Sequence, residues 1–201
     1  MQIPEKLLLS LEGIKGFNRV SFQELHDLGE QVTSVRLNPQ KIKETAMVFP
    51  SIAVSSIPWA GQGFYLSERP SFTFDPLFHA GCYYVQEASS MFLEQALTQN
   101  LDLSRPLKIL DLSAAPGGKS THLQSLVSED SLLVSNEVIR SRANILKDNI
   151  VKWGANNVVV TNNDPKDFSA LENYFDVNNG PTTKEEATLD SDRSLQERPA
   201  A

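Results

Sequence analysis

From Leu107 onward the sequence alternates strand-like and helix-like segments, and this alternation most constrains the fold. The run Leu107–Leu112 is apolar except for Lys108 and Asp111, and a glycine-rich turn and a helical segment follow it. Leu132–Val138 and Val158–Thr161 predict two further strands. The segment between them carries one helical stripe of apolar residues: Ile139, Ala143, Leu146, Ile150 and Trp153. This β-α-β-α-β order predicts an α/β fold, the first half of a Rossmann-like, doubly wound parallel sheet.

Two other regions flank this half-sheet. Residues 1–80 contain short helical and extended patterns separated by prolines, which predicts a small N-terminal α/β module. Residues 81–177 form the predicted second domain. Residues 178–201 carry no aromatic residue and few apolar ones, so we expect a disordered polar tail. No fourth strand is predicted after Val177, and Leu107–Leu112 would then be an edge strand.

Composition excludes several classes of protein. A net charge of −7 argues against a nucleic-acid binder that relies on bulk positive charge. A single cysteine excludes a disulfide framework, and the three histidines lack the spacing of metal ligands. The sequence shows no membrane-spanning run and no signal peptide. We therefore expect a cytoplasmic, monomeric protein without a metal or a membrane partner.

The turn after Asp111 reads DLSAAPGGKST and predicts a ligand site, since it joins a strand end to a helix start. One interpretation is a nucleotide phosphate loop, because Gly118-Lys119-Ser120 fits the end of that motif. However, Ser113 replaces the motif's first glycine, and Pro116 removes one amide from the cradle.

The other interpretation is a nucleoside site of the S-adenosylmethionine (SAM) kind, in which carboxylates bind ribose and adenine. Asp111, Glu137 and Asp164 follow three consecutive strands, which favours this second interpretation. Each residue alone also fits a structural role. Glu137 is a possible helix cap, and Asp164 a possible helix start.

The same residues resemble a known family, the RNA (cytosine-5-)-methyltransferases of the Nop2/Sun type, and most closely the bacterial 16S ribosomal RNA enzymes. The resemblance rests on these segments: Asp111–Lys119, Tyr83–Met91, Asn136-Glu137 with Arg142, Leu146 and Asn149, Thr161–Asp164, Ser34–Pro39, and Pro58-Trp59. It extends from near the N-terminus to Val177 and implies a SAM cofactor and a ribosomal RNA partner.

The resemblance also implies residue roles. The loop formed by Ser113, Ala114, Ala115, Pro116, Gly117, Gly118 and Lys119 would wrap the methionine part of SAM. Glu137 would hold the ribose and Asp164 the adenine. Residues 1–80 would be the RNA-contacting module, in which Arg36, Lys41 and Lys43 either contact phosphates or form a solvated basic face.

The family's two cysteine motifs do not occur in this sequence. In the family one cysteine attacks carbon 6 of cytosine, which makes carbon 5 nucleophilic, and a second assists product release. Cys82 precedes the whole SAM fold and is expected to be an ordinary, partly buried thiol. The sequence therefore predicts a chain truncated before the catalytic cysteines, which binds SAM at most and has no catalytic residue of its own. The alternatives are a non-catalytic SAM- or RNA-binding fragment and a phosphate-loop nucleotide-binding protein.

Overall fold

The computed structural model describes residues 3–28, 32–171 and 173–180. The chain divides into one compact unit that ends at Val32 and a second that begins at Thr33. The helices of the described residues are α1 (Glu5–Leu11), α2 (Arg19–Leu28), α3 (Pro76–His79), α4 (Leu93–Thr98), α5 (Gly118–Leu126) and α6 (Arg140–Trp153). The described part of the chain contains no helix long and apolar enough to cross a membrane.

The first unit contains α1 and α2. The second helix begins at Arg19, and the side chain of Asn18 supplies its cap by accepting a hydrogen bond from the Ser21 amide (3.0 Å). Arg19 pairs with Glu5 on α1 (2.6 Å) and with Glu12 (2.8 Å). These exposed ion pairs link the two helices but stabilise them little.

The second unit begins with an antiparallel sheet. Its strands are β1 (Thr33–Leu37), β2 (Val54–Ser56), β3 (Gly63–Leu66) and β4 (Tyr83–Val85). They lie in the order β2-β3-β1-β4. The central strand β1 is buried along its whole length. Aromatic side chains complete the core on one face, where the rings of Phe49 and Tyr83 lie 5.0 Å apart.

A parallel sheet follows in the same unit. Its strands are β5 (Lys108–Asp111), β6 (Leu132–Asn136), β7 (Val158–Thr161) and β8 (Val177–Asn179), in the order β7-β6-β5-β8. Leu107, Ile109, Leu123 and Leu133 are almost completely buried and form its core. The fold prediction is thus confirmed: a small α/β module precedes the first strands of a Rossmann-like sheet.

The prediction that Leu107–Leu112 would be an edge strand is wrong. The strand β8 pairs with β5 in parallel, with Ile109 opposite Val177 and Asp111 opposite Asn179. Val177 packs on the sheet core, and the side chain of Asn179 donates to Asp111 (2.9 Å). The polar residues that suggested a tail at 178 and 179 therefore form a strand, because one bonds a buried carboxylate and the other faces solvent.

Between β7 and β8 the chain forms 3-10 helical turns over Pro165–Leu171. The domain boundaries at 80 and 177 stay predictions, although β4 lies beyond the first of them and pairs with β1. The rest of the expected disordered tail, residues 181–201, lies outside the described residues.

Candidate functional site: the loop after β5

The glycine-rich turn joins the carboxyl end of β5 to the amino end of α5. Gly117 caps this helix with a φ of 108°, a left-handed value that glycine adopts without steric cost. A Cβ at this position would lie 3.2 Å from Cδ1 of Leu146 on α6, so glycine lets the loop pack closely on that helix. The turn therefore places backbone amides at a helix N-terminus, where they attract electron-rich groups of a ligand.

Side chains from α6 and β4 hold the loop from outside. Arg142 donates to the carbonyl oxygen of Ala115 (3.0 Å) and Asn149 to that of Pro116 (2.8 Å). The hydroxyl of Tyr84 on β4 donates to the same Pro116 oxygen (3.3 Å). Because these carbonyls are bonded to side chains, the conformation of the loop is set before any ligand arrives.

A fully buried asparagine connects the loop to the ends of β6 and β7. The side-chain amide of Asn136 donates to the carbonyl of Leu112 (3.2 Å) and to that of Asn163 (3.0 Å). Its side-chain oxygen accepts from Thr161 (2.9 Å) and from the Asn163 amide (3.0 Å), and its backbone oxygen accepts from the Ala114 amide (2.8 Å). One side chain thus sets the relative positions of three strand ends.

Glu137 follows β6 directly and is 3% exposed. Its Oε1 atom accepts from the amide of Ile139 (3.0 Å), which orients the carboxylate. Its Oε2 atom lies 3.9 Å from the guanidinium of Arg142, longer than a hydrogen bond. The carboxylate is therefore fixed in direction and retains the capacity to accept from a ligand hydroxyl.

The other predicted site residues differ in exposure. Ser113, Pro116 and Lys119 are exposed, whereas Ala114, Ala115 and Gly117 are buried and Gly118 is half-buried. Asp164 lies three residues beyond β7 and is exposed; its carboxylate accepts from the Lys166 amide (2.9 Å). The loop and Glu137 come together through Asn136, and Asp164 follows Asn163, which Asn136 also binds.

Asp111 has a different role from the other two carboxylates. Its side chain is 1% exposed and accepts from the hydroxyl of Ser120 (2.6 Å) and from the amide of Asn179 (2.9 Å). Burial raises the pKa of Asp111, and these two hydrogen bonds oppose the rise. The carboxylate joins α5 to β8, so the structure separates it from the two carboxylates expected to face a nucleoside.

The geometry does not favour a phosphate loop. The amide of Gly117 is used by the carbonyl of Ala114 (2.7 Å), and the amide of Ala114 by Asn136. Pro116 has no amide proton to donate. A phosphate cradle needs consecutive outward amides, and these three positions do not provide them.

Two of the three basic residues considered for RNA contact hold the two sheets together instead. Arg36 is fully buried between β1 and α5, and burial lowers its pKa to about 9, which leaves it charged at neutral pH. Lys41 donates to the carbonyls of Ala80 (2.7 Å) and Lys152 (2.8 Å). Lys43 is exposed. A basic RNA-contacting face built on all three is therefore wrong.

Cys82 lies in the core of the antiparallel sheet, 8% exposed and clustered with Val35, Leu37 and Tyr83. It matches the expectation of an ordinary buried thiol. Across the described residues no cluster of three or more histidine, cysteine or acidic side chains is arranged to bind a metal.

Two family models match the chain. The N-terminal domain of 16S rRNA methyltransferase RsmF matches residues 3–88, and 16S rRNA methyltransferase RsmB/F matches residues 98–177. The chain belongs to the 16S rRNA methyltransferase RsmB/F family. The resemblance stated from the sequence is thereby confirmed.

Similar curated proteins are ribosomal RNA small subunit methyltransferases F. That of Shewanella woodyi is 35% identical over 151 residues, which cover 72% of this chain and 32% of the relative. That of Pectobacterium atrosepticum is 36% identical over 155 residues, with 72% and 31% covered. The chain spans about a third of the length of these curated relatives.

Solved structures show the same fold. A methyltransferase homologue from Pyrococcus horikoshii superposes with a TM-score of 0.65 at 25% identity, covering 96% of this chain and 70% of that one. NSun6 from Pyrococcus horikoshii gives a TM-score of 0.68 at 15% identity, with 83% and 67% covered. Both superpositions therefore show that the chain shares the fold of these two proteins.

Sequence reasoning assigned no role at the loop to several residues that shape the site. Asn136, Arg142 and Asn149 carried the family resemblance, but their bonds to the loop are visible only in the structure. Tyr84 and Arg36 come from the antiparallel sheet, far from the loop in sequence. One feature of the sequence pointed to these contacts: Asn136 is a polar residue at the end of a mostly apolar strand, and a buried polar side chain needs hydrogen-bond partners.

Proposed function

We propose that this chain forms the SAM-binding portion of an enzyme that methylates carbon 5 of a cytosine in 16S ribosomal RNA. The observation that carries the proposal is the pre-shaped loop Ser113–Lys119 at the start of α5, with the oriented carboxylate of Glu137 beside it. This arrangement occurs in a chain that belongs to the RsmB/F family.

The chemistry of the residues at the site supports SAM as the ligand. Loop amides other than those of Ala114 and Gly117, which are already bonded, would receive the methionine carboxylate, and the Oε2 atom of Glu137 would accept from the ribose hydroxyls. Asp164 would accept from the adenine amine. When bound, SAM supplies a methyl group activated by a positively charged sulfur. The chain's own residues orient that cofactor.

We propose that these 201 residues alone do not methylate RNA. Carbon 5 of cytosine becomes nucleophilic only after a thiolate adds to carbon 6. Cys82 directly precedes β4 and is buried in the core of the antiparallel sheet, not in the sheet that bears the loop. No other cysteine occurs in the sequence. In this proposal the chain binds the cofactor, contacts the RNA and is a monomer in the cytoplasm.

Isothermal titration with SAM tests the proposal. We expect the chain to bind SAM and Glu137→Gln to bind about tenfold or more weakly, because the substitution removes a charged acceptor, a loss of about 1.4 kcal/mol or more. The matched control is Glu129→Gln. Glu129 is an exposed acidic residue that precedes the amino end of β6, whereas Glu137 follows its carboxyl end. The control should leave the affinity unchanged.

Four results would contradict the proposal. Equal SAM affinity in Glu137→Gln would remove the ribose role, and ATP binding that depends on Lys119 would support the phosphate-loop alternative. Formation of 5-methylcytosine by the purified chain would show that it is catalytically competent. SAM binding without RNA binding would favour the non-catalytic fragment over an RNA-contacting portion.

A further inference from the structure

Arg36 is a buried cation that the proposed function does not use. It extends from β1 of the antiparallel sheet and is 0% exposed. Its Nε atom donates to the side-chain oxygen of Gln86 (3.0 Å), and its guanidinium carbon lies 4.6 Å from the ring centre of Trp153. Burying a charge is costly unless its hydrogen bonds are well made.

The two amino groups of this guanidinium point at α5. One Nη atom donates to the hydroxyl of Thr121 (2.6 Å) and to the carbonyl of Gly118 (3.3 Å). The other lies 3.4 Å from the Thr121 carbonyl and from the hydroxyl of Ser125. The shortest and best-placed of these bonds is the one to the Thr121 hydroxyl.

Thr121 passes this contact to the loop. The Thr121 hydroxyl accepts from Arg36 and has two carbonyl acceptors for its own proton, those of Gly117 (2.8 Å) and Gly118 (3.1 Å), of which the Gly117 oxygen is the nearer. The Thr121 amide donates to the same oxygen (2.9 Å). A donor polarised by a neighbouring cation makes a stronger hydrogen bond. Gly117, whose φ is 108°, is thus held by a relay that starts in the other sheet.

We propose that Arg36 and Thr121 are positioning residues for the cofactor: the relay Arg36–Thr121–Gly117 holds the loop Ser113–Lys119 in its SAM-binding conformation. This inference rests on the proposed function for its ligand. The antiparallel module then contributes to cofactor affinity without touching the cofactor. The planar fork of arginine suits this task, because a lysine ammonium cannot reach Gln86 and Thr121 together in the same geometry.

Thr121→Val tests the relay, because it keeps the shape of the side chain and removes the hydroxyl. We expect SAM to bind about tenfold more weakly, as for the loss of one charge-assisted hydrogen bond. Thr121→Ser restores a hydroxyl and should restore the affinity to within about twofold. Arg36→Lys should behave like Thr121→Val.

Ser125→Ala is the matched control. It removes another acceptor of the same guanidinium on the same helix, but Ser125 has no bond to the loop. We expect its SAM affinity to equal that of the unmodified chain. A general loss of helix packing would instead weaken SAM binding in both variants.

Amide hydrogen exchange without SAM provides a second readout that does not depend on the ligand. In Thr121→Val the amides of Gly117 and Thr121 should exchange at least tenfold faster, while the amide of Leu133, bonded to Asn157 within the parallel sheet (3.0 Å), keeps its rate. Unchanged exchange at Gly117 would overturn the inference. An unmodified chain that binds no SAM would refute the proposed function, and the exchange data would still decide the relay.

Discussion

Single residues decide how closely the two sheets of the second unit approach each other, and Gly81 is the tightest point. Its φ is 68°, and a Cβ there would collide with the carbonyl oxygen of Lys152 at the end of α6. Beside it, Asn38 donates to the carbonyls of Gly81 (3.0 Å) and Trp153 (2.9 Å), while Lys41 binds the carbonyl of Lys152. Side chains of the turn after β1 thus satisfy the last carbonyls of α6, which no helix can satisfy by itself.

Gly81→Ala is expected to lower the free energy of unfolding by about 3 kcal/mol or more, because it combines backbone strain with a clash against backbone atoms. Gly154→Ala is the control. Its φ is 90°, yet a Cβ there would meet only the flexible end of Lys41 at 3.3 Å. We expect a loss of about 1 kcal/mol for that variant. Urea unfolding of both variants measures the difference, and equal losses would show that the close approach at Gly81 costs nothing.

At the scale of elements, the pairing of β5 with β8 depends on a polar contact inside the sheet. Burial raises the pKa of Asp111 in the folded chain above its ordinary value. Ionisation of this carboxylate therefore lowers the free energy of unfolding as the pH rises from the ordinary pKa to the raised one. The amide of Asn179 offsets part of that cost by donating to the carboxylate. The strand pair is therefore sensitive to the protonation of one buried group.

Asn179→Ala is expected to destabilise the chain by about 2 kcal/mol at pH 8, where the carboxylate is charged and needs its donors. The loss should shrink as the pH approaches the ordinary pKa of an aspartate, because the protonated form needs them less. Asn178→Ala, an exposed position on the same strand, should show a small loss that does not change with pH. Unfolding free energies of both variants at pH 4 and pH 8 provide the comparison, and a loss in Asn179→Ala that is constant with pH would contradict the role of Asp111.

At the scale of the whole molecule, the chain from Thr33 onward behaves as one compact unit with two sheets. Arg36, Asn38 and Lys41 all cross from the first sheet to the helices of the second. We therefore expect the two sheets to unfold together in a single transition.

The two tryptophans allow this to be measured, since Trp59 lies beside the antiparallel sheet and Trp153 at the end of α6. In Trp59→Phe the remaining Trp153 reports on α6. In Trp153→Phe the remaining Trp59 reports on the antiparallel sheet. Within each variant, the fluorescence and far-ultraviolet circular dichroism transitions should have the same urea midpoint. Separate midpoints within one variant would show that the two sheets are independent.

Local patterns in the sequence were enough to predict the parallel half-sheet, the loop after Asp111 and the family resemblance. Periodicity and turn residues act over a few positions. The strand predicted at Leu132–Val138 formed over Leu132–Asn136, and the helical stripe from Ile139 to Trp153 formed a helix over Arg140–Trp153. The strand β8 was missed because its asparagines are polar, and only the neighbouring Asp111 makes them suitable for a sheet.

What only the tertiary structure decided is where the module's polar side chains go. Sequence assigned Arg36 and Lys41 to a possible RNA-contacting face, since a charged side chain is normally solvated. The structure buries Arg36 against α5, 85 positions along the chain from its partner Thr121. The destination of such a side chain depends on contacts between residues distant in sequence, and no local pattern encodes them. The sequence alone thus determined the family and the loop, and the packing of the two sheets determined which residues hold the loop in place.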